Sequence, residues 1–254
     1  MRIATTKLVK RPRVCAGLLG LVCVGIWWDE AACAQENVTA QVEVGNGVKD
    51  TKDKDGAKQG NGDVVVWLKS LDGTAKSETT MAKRQKLVQI HKTFVPHVLV
   101  VQVGSVVDFP NHDPFFHNVF SLFEGKRFDL GLYEAGATNS VRFDRVGVSF
   151  LFCNIHPEMS AVVVAVDTPY YGITDRAGSV TLANVADGRY EVHYWSERGL
   201  PDSLNQLTKT LTISNGTRNL GTVQIAENPN FTTLHKNKYG QDYVPPPKND
   251  YPHP

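Results

Sequence analysis

The stretch FLFCNIHPEMSAVVVAV (residues 150–166) joins two apolar runs by a short loop that carries three kinds of metal-binding side chain. The flanking runs have the length and the β-branched and aromatic composition of buried strands. Between them lie Cys153, His156 and Met159 at steps of three residues. The stretch therefore predicts two strands joined by a loop that presents a thiol, an imidazole and a thioether.

The rest of the chain repeats this pattern of short apolar runs. Runs rich in Val, Phe, Leu and Tyr alternate with Gly, Asn, Asp and Pro, which indicates strands and turns. We predict strands near residues 40–43, 64–69, 87–91, 97–101, 106–109, 118–122, 128–133, 140–143, 149–153 and 161–166. No alternation of strands with helices and no glycine-rich phosphate loop occurs in the sequence. The chain is therefore predicted to be all-β and to lack nucleotide chemistry.

The N-terminus has the organisation of a secretory signal. Five basic residues precede an apolar run at residues 14–28, and an A-x-A pattern ends at Ala34. The apolar run is about fifteen residues long, below the ~20 that span a bilayer. We expect residues 1–34 to be a cleaved signal, with retention as an anchor as the alternative. The mature protein would then be periplasmic or secreted, with no membrane span.

Charge and cysteine content narrow the function further. The leader takes five of the 27 basic and two of the 26 acidic residues, which leaves a formal charge near −2. Without a basic stripe, we expect no nucleic acid partner. Three of the four cysteines lie in the leader, so only Cys153 remains. A lone thiol in an oxidising compartment must be protected, either by burial or by a metal.

Copper fits the residue types of the loop. Two histidines, one cysteine and a weak axial methionine form the ligand set of blue copper sites. The loop supplies one histidine, so the second must come from elsewhere in the chain. His117 is the best candidate because it lies at the head of a predicted strand, after a loop that contains proline. His91, His97 and His112 are the competing candidates.

These residues also carry a family resemblance. The segment from residue 38 to 167 resembles the cupredoxins, the family of plastocyanin and amicyanin. Its Cys-x-x-His-x-x-Met loop is similar to that of amicyanin, including the proline after the histidine. The resemblance implies a Greek-key β-sandwich with one type 1 copper ion. It further implies that His117, Cys153 and His156 are the strong ligands and that Met159 is the axial ligand. Asn118 would tie the two ligand loops together and help to hold the thiolate.

The remaining segments are predicted to form a second domain, an insertion and a tail. Residues 168–226 contain ITDRAGSVTLANVADGRYEVHYW, which resembles carboxypeptidase-regulatory-like and transthyretin-like domains. That resemblance implies a second small β-sandwich. The polar, glycine-rich residues 44–63 are predicted to be a flexible insertion. Residues 227–254 form a proline-rich tail that we expect to be extended or disordered.

The sequence thus predicts an electron-transfer protein with an unidentified redox partner protein, and not an enzyme. By the resemblance, His156 would be the site where electrons enter and leave. A Cys–His hydrolase is disfavoured because the loop offers no helix N-terminus. Structural zinc is disfavoured because Met159 is a poor zinc ligand. Multicopper oxidase chemistry is disfavoured because the sequence contains no His-x-His cluster.

The alternative function belongs to a different class of protein: a copper-free extracellular binding or scaffold module with a vestigial metal site. Its ligand would be a carbohydrate or a protein. Tyr190, Tyr194 and Trp195 would then stack on a sugar. The interpretation that we favour is that Tyr190 and Trp195 pack in the interior of the second sandwich or at the domain interface.

Overall fold

The computed structural model describes residues 36–45, 60–73, 84–122, 124–214, 216–232 and 234–243. Over these residues the chain forms seventeen strands and one short helix, so the prediction of an all-β protein is confirmed. The predicted signal (residues 1–34) and most of the predicted insertion lie outside the described residues, as do residues 244–254.

Twelve strands precede residue 167 and five follow it. The first twelve are β1 (Glu36–Val44), β2 (Val65–Ser70), β3 (Gln85–Lys86), β4 (Val88–Ile90), β5 (Thr93–Val95), β6 (Val98–Gln102), β7 (Val106–Pro110), β8 (His117–Ser121), β9 (Phe128–Tyr133), β10 (Thr138–Arg142), β11 (Gly147–Phe152) and β12 (Ser160–Val166). The others are β13 (Tyr171–Ile173), β14 (Ser179–Val185), β15 (Gly188–Trp195), β16 (Lys209–Ile213) and β17 (Asn219–Ile225), with helix α1 (Pro201–Leu207) between β15 and β16.

The first sandwich is built from the strands between β3 and β12. A three-stranded sheet has the order β10–β7–β3, and a five-stranded sheet has the order β6–β12–β11–β8–β9. A buried cluster that includes Phe109, Val119, Leu151 and Val163 draws residues from both sheets. Burial of such side chains contributes about 1.5–3 kcal/mol each, which makes this cluster the main source of stability around the site.

The second sandwich combines strands from both ends of the chain. Its sheets have the orders β14–β1–β17 and β13–β2–β15–β16, and its core includes Val38, Leu68, Leu182 and Tyr190. The prediction that the first sandwich begins at residue 38 is therefore wrong, because β1 and β2 belong to the second. Residues 168–226 supply five strands to this sandwich, and the two N-terminal strands β1 and β2 complete it.

Strand pairing gives the physical reason for this difference. In β1, Val38 faces Leu182 of β14 across an antiparallel ladder, and Val42 faces Val223 of β17 across a parallel one. The alternation of buried residues along β1 specifies a half-buried strand. It does not specify which sheet the strand joins, because partners more than a hundred residues away are not encoded locally.

Strand β12 is buried on both faces, and it joins the two sandwiches. Ala161, Val163 and Ala165 lie in the core of the first sandwich. Val162 and Val164 lie in a separate cluster with side chains of the second sandwich, such as Val65 and Trp195. This double burial explains why the strand is an uninterrupted apolar run.

The described ends of the predicted insertion are held in place. The side-chain oxygen of Asn61 accepts a hydrogen bond from the backbone N–H of Val44 at 3.0 Å. The backbone N–H of Asn61 donates to the carbonyl of Arg176 at 3.1 Å. Residues 44–45 and 60–63 therefore pack against the second sandwich, whereas the prediction of flexibility for residues 46–59 falls outside the described residues.

Helix α1 has no counterpart in the predicted elements. It is seven residues long, begins with Pro201 at its first turn, and buries only Leu204. Proline suits the first helical turn, but so short a segment has no helical periodicity to recognise. Within the part of the chain that the structure describes, no helix has the length and apolar character needed to cross a membrane.

Candidate metal centre

The loop between β11 and β12 is closed by its own backbone. The N–H of Cys153 donates to the carbonyl of Met159 at 3.1 Å, and the N–H of Met159 donates to the carbonyl of His156 at 3.1 Å. These bonds fold the loop into a compact turn. As a result, Nδ1 of His156 lies 3.5 Å from Sγ of Cys153.

The second histidine comes from the neighbouring strand. His117 begins β8, which pairs with β11 through Phe120 and Phe152. This pairing places Nδ1 of His117 3.8 Å from Sγ of Cys153. The donor atoms of His117, Cys153 and His156 all lie within 4.8 Å of one another. The structure therefore brings together the three residues that the sequence nominates as strong ligands.

Met159 lies at the other end of the same loop. It is fully buried, and it belongs to the same core cluster as the equally buried Cys153. Its position directly before β12 fixes its backbone. Its role as an axial ligand stays a prediction.

A buried carboxylate, which the sequence analysis missed, orients His117. Oδ2 of Asp113 lies 2.8 Å from Nε2 of His117, and Asp113 also accepts the backbone N–H groups of His91 at 2.7 Å and Lys92 at 2.9 Å. Burial opposes its charge, but the hydrogen bonds from Lys92, His117 and His91 together lower the pKa of Asp113. An ionised Asp113 keeps the proton on Nε2 and leaves the lone pair of Nδ1 facing the sulfur.

Burial and local charges set the protonation of the other two donors. Burial raises the pKa of the Cys153 thiol, and the backbone N–H groups of Asn118, Ile155 and His156 oppose that rise by stabilising a thiolate. Burial also lowers the pKa of His156, and the positive charge of Lys92 lowers it further. A neutral imidazole offers a free lone pair, so the state of His156 suits a metal ligand.

Aromatic packing holds the imidazoles and leaves an apolar rim. The ring of Phe115 lies 5.2 Å from that of His117 and 5.6 Å from that of His156, measured between centroids. His156 is half-buried. Ile155, which precedes His156 in the chain, is 42% exposed, and Phe116, which precedes His117, is 54% exposed. One imidazole of the site therefore reaches a surface that is apolar.

Asn118 acts differently from the prediction. Its side-chain nitrogen donates to Oδ1 of Asp129 at 2.8 Å and to the carbonyl of Gly131 at 2.9 Å. The side chain thus ties β8 to β9 instead of tying the two ligand loops together. Its oxygen is buried and has no hydrogen-bond partner among the described residues. The contribution of Asn118 to the sulfur comes from its backbone N–H.

The competing histidines stay outside the cluster. Nε2 of His97 lies 2.6 Å from a carboxylate oxygen of Glu197, and its Nδ1 lies 3.1 Å from the carbonyl of Ser160. The side chains of His91 and His112 are exposed. Among the described residues, the cluster of possible metal ligands contains none of the three.

Part of the predicted tail packs directly on the ligand loop. The hydroxyl of Tyr243 donates to the carbonyl of Cys153 at 2.6 Å, and the N–H of Lys238 donates to the side-chain oxygen of Asn154 at 3.0 Å. We call residues 234–243 the C-terminal strap. This segment of the predicted extended or disordered tail is held by defined contacts. Its contacts come from isolated polar and aromatic side chains, which leave no periodic signal in the sequence.

The aromatic residues of the second sandwich are packed inside the protein. Tyr190 is fully buried, and Tyr194 is 4% exposed. Trp195 packs edge-on against Phe150 of the first sandwich with centroids 6.4 Å apart. The packing interpretation is therefore confirmed for these side chains, and a sugar-stacking platform is not available there.

Comparisons with known proteins give matches only among solved structures. No protein-family model and no curated protein matches the chain. A copper-containing nitrite reductase from Thermus scotoductus SA-01 is similar over 33% of this chain and 22% of its own, with 22% identity and a TM-score of 0.32. A purple cupredoxin from Nitrosopumilus maritimus is similar over 32% of this chain and 99% of its own, with 22% identity and a TM-score of 0.30.

Amicyanin structures also match. A reduced amicyanin variant covers 33% of this chain and 82% of its own, with 22% identity and a TM-score of 0.31. These similarities extend over about a third of the chain. Similarity of this size does not identify the function, so the functional assignment depends on the geometry of the site itself.

Proposed function

We propose that this chain is a type 1 copper protein that transfers single electrons, with His117, Cys153 and His156 as strong ligands and Met159 as the axial ligand. One observation carries the proposal. The Nδ1 atoms of two histidines converge on the buried sulfur of Cys153 at 3.8 and 3.5 Å.

The donor set and its dimensions fit copper. Two imidazoles and one thiolate in a trigonal arrangement, with a weak axial thioether, are the ligands of blue copper. Metal–nitrogen distances of about 2.0–2.1 Å and a metal–sulfur distance of about 2.3 Å at ~120° place sulfur and nitrogen ~3.8 Å apart. The two observed sulfur–nitrogen distances lie close to this value.

When bound, copper would supply the exchange of one electron between its two oxidation states. The protein supplies donors that stay in place during that exchange. His117 is fixed by Asp113, the loop is closed by its own hydrogen bonds, and the sulfur is surrounded by backbone N–H groups. A site that is already arranged for both oxidation states reorganises little, which favours fast electron transfer.

The surface around His156 is the proposed site of electron exchange. His156 is the partly exposed member of the cluster, and the neighbouring Phe116 and Ile155 form an apolar surface. Such a surface suits transient contact with a redox partner protein. We further propose that residues 1–34 direct export, so that the partner is met in the periplasm or outside the cell. The second sandwich would serve as an accessory to partner docking.

Two observations favour copper electron transfer over the alternatives. Structural zinc requires four strong ligands. Besides Cys153 and His156, the ligand loop offers only the thioether of Met159 and the exposed carboxylate of Glu158. Within the described residues, His117, Cys153 and His156 form the cluster that is spaced for a metal. We therefore propose one ion and no separate catalytic metal.

An optical titration tests the proposal. The protein without residues 1–34 is titrated with Cu(II), and we expect an intense band near ~600 nm from thiolate-to-copper charge transfer. Cys153→Ser should lose the band, whereas His112→Gln, which changes an exposed histidine outside the cluster, should keep it. A colourless wild-type protein whose Cys153 is readily alkylated would instead support the copper-free binding module.

A further inference from the structure

We infer that the C-terminal strap is a working part of the metal centre, and that Tyr243 is a positioning residue for the thiolate of Cys153. The inference rests on the proposed function for its electronic consequence. Its structural consequence, a loop held closed over the sulfur, applies equally to the metal-free protein.

The strap contacts the ligand loop and the adjoining strands at separate points. The hydroxyl of Tyr243 donates to the carbonyl of Cys153, and the N–H of Lys238 donates to the side chain of Asn154. The ring of His235 stacks on Phe152 with centroids 4.3 Å apart. The strap therefore holds the three consecutive residues 152–154, which include the cysteine.

The strap is itself anchored to the sandwich. Nζ of Lys238 lies 2.8 Å from a carboxylate oxygen of Asp129 in β9. Burial disfavours the charge of Asp129, but its hydrogen bonds outweigh burial and lower the pKa of this carboxyl group. Asp129 also accepts a hydrogen bond from the side-chain nitrogen of Asn118, the residue next to His117. One carboxylate thus connects the strap to the strand that carries the first histidine.

Internal hydrogen bonds preset the shape of the strap. The side-chain oxygen of Asn237 accepts the N–H groups of Tyr239 and Gln241 at 2.9 and 3.0 Å. The ring of Tyr243 meets that of His235 edge-on, with centroids 5.4 Å apart. A segment ordered in this way can hold one hydroxyl against one carbonyl at little further entropic cost.

The position of the Tyr243 hydroxyl has two consequences for Cys153. It fixes the orientation of the peptide that follows Cys153, from which the loop continues to the N–H groups of Ile155 and His156 that stabilise the thiolate. It also draws electron density from the residue that carries the sulfur, which favours the reduced state of a bound metal.

The first test uses the metal-free, full-length protein. Tyr243→Phe removes only the hydroxyl, and Tyr239→Phe is the matched control because that tyrosine lies in the same strap and is 72% exposed. The measurement is the rate at which Cys153 is alkylated in the folded protein. Tyr243→Phe loses the hydrogen bond to Cys153, with a net value of about 1 kcal/mol, and the 3.3 Å contact of the hydroxyl with Nδ1 of His235, so loop opening and alkylation should increase at least roughly five-fold. The control should react at the wild-type rate, and equal rates in all three proteins would overturn the inference.

The second test uses the copper-loaded protein and a readout that a merely structural role would not change. Tyr243→Phe should shift the charge-transfer band and lower the midpoint potential, while Tyr239→Phe leaves both at the wild-type values. A blue wild type whose band and potential do not respond to Tyr243→Phe would overturn the electronic part of the inference. A colourless wild type with faster alkylation in Tyr243→Phe would overturn the copper function and support the strap.

Discussion

Oδ2 of Asp113 lies 2.8 Å from Nε2 of His117, and Nδ1 of the same imidazole lies 3.8 Å from the sulfur of Cys153. The two nitrogens of one buried ring therefore have different tasks. Nε2 is held by a carboxylate that two backbone N–H groups keep in place, and Nδ1 is presented to the metal site. This orientation is built into the protein before any ion binds.

We expect Asp113→Asn to lower the affinity for copper roughly 10–100-fold, which is the usual effect of removing a partner that orients a metal-binding histidine. Without the charged acceptor, His117 loses the interaction that sets its tautomer. Copper affinity is measured by competition with a chelator. Asp108→Asn is the control, because Asp108 is also a buried carboxylate of the first sandwich but is bonded to Arg84 and Ser140. Equal loss of affinity in both variants would contradict the assignment.

We expect Met159→Leu to keep a coloured copper site and to raise its midpoint potential. Leucine fills the buried position but removes the thioether that would stabilise the oxidised ion as a weak axial donor. Redox titration followed at the charge-transfer band measures the change. An unchanged potential would remove Met159 from the ligand set.

The ion pair between His97 and Glu197 predicts a pH dependence of stability. The hydrogen bond to Glu197 outweighs burial and raises the pKa of His97 above its ordinary value of 6.5. The pair therefore stabilises the fold fully below pH 6.5, and this contribution is lost as the pH rises through the raised pKa. One proton limits the slope to about 1.4 kcal/mol per pH unit.

The unfolding free energy of wild type and His97→Gln, measured in denaturant across this pH range, isolates that contribution. The difference between the two proteins should shrink as the pH rises. His156 and His235 have lowered pKa values and contribute a dependence of opposite sign, which cancels in the difference. A difference that is constant with pH would show that the pair does not titrate in this range.

Gly178 tests the docking of the N-terminal strand. Its φ is +89°, and a Cβ at this position would overlap the carbonyl oxygen of Val42 in β1. Gly221 has a φ of +76° with open space around it, so Gly221→Ala should cost only the backbone strain of about 1–2 kcal/mol. Gly178→Ala should cost about 1–3 kcal/mol more, because β1 must move. Denaturant unfolding measures both, and equal costs would contradict the close approach of β1.

The ligand loop could be predicted because its information is local. Cys153, His156 and Met159 lie within seven residues, and their spacing between two apolar strands restricts both the turn and the chemistry. His117 required a family resemblance, since its pairing to the loop depends on the contact of β8 with β11. The burial of β12 could be predicted from its apolar run. The sequence did not indicate that the second sandwich covers one of its two faces.

Two features could not be predicted because they depend on distant partners, and a third was missed although its signal is local. The assignment of β1 to the second sandwich is set by strands β14 and β17. The strap has no apolar periodicity, and its order depends on single contacts such as that of Tyr243 with Cys153. Asp113 is the exception, because a carboxylate four residues before a candidate ligand histidine is a signal that sequence reasoning can use.

The two covered faces of β12 determine how the first sandwich of this protein can be handled. Cutting the chain to residues 85–166 would leave Val98, Val100, Val162 and Val164 in water as a contiguous apolar strip. Such a fragment would be prone to self-association, however well its copper loop were formed. The first sandwich is therefore not a portable module, and any transplantation to another scaffold must carry a replacement cover for that strip.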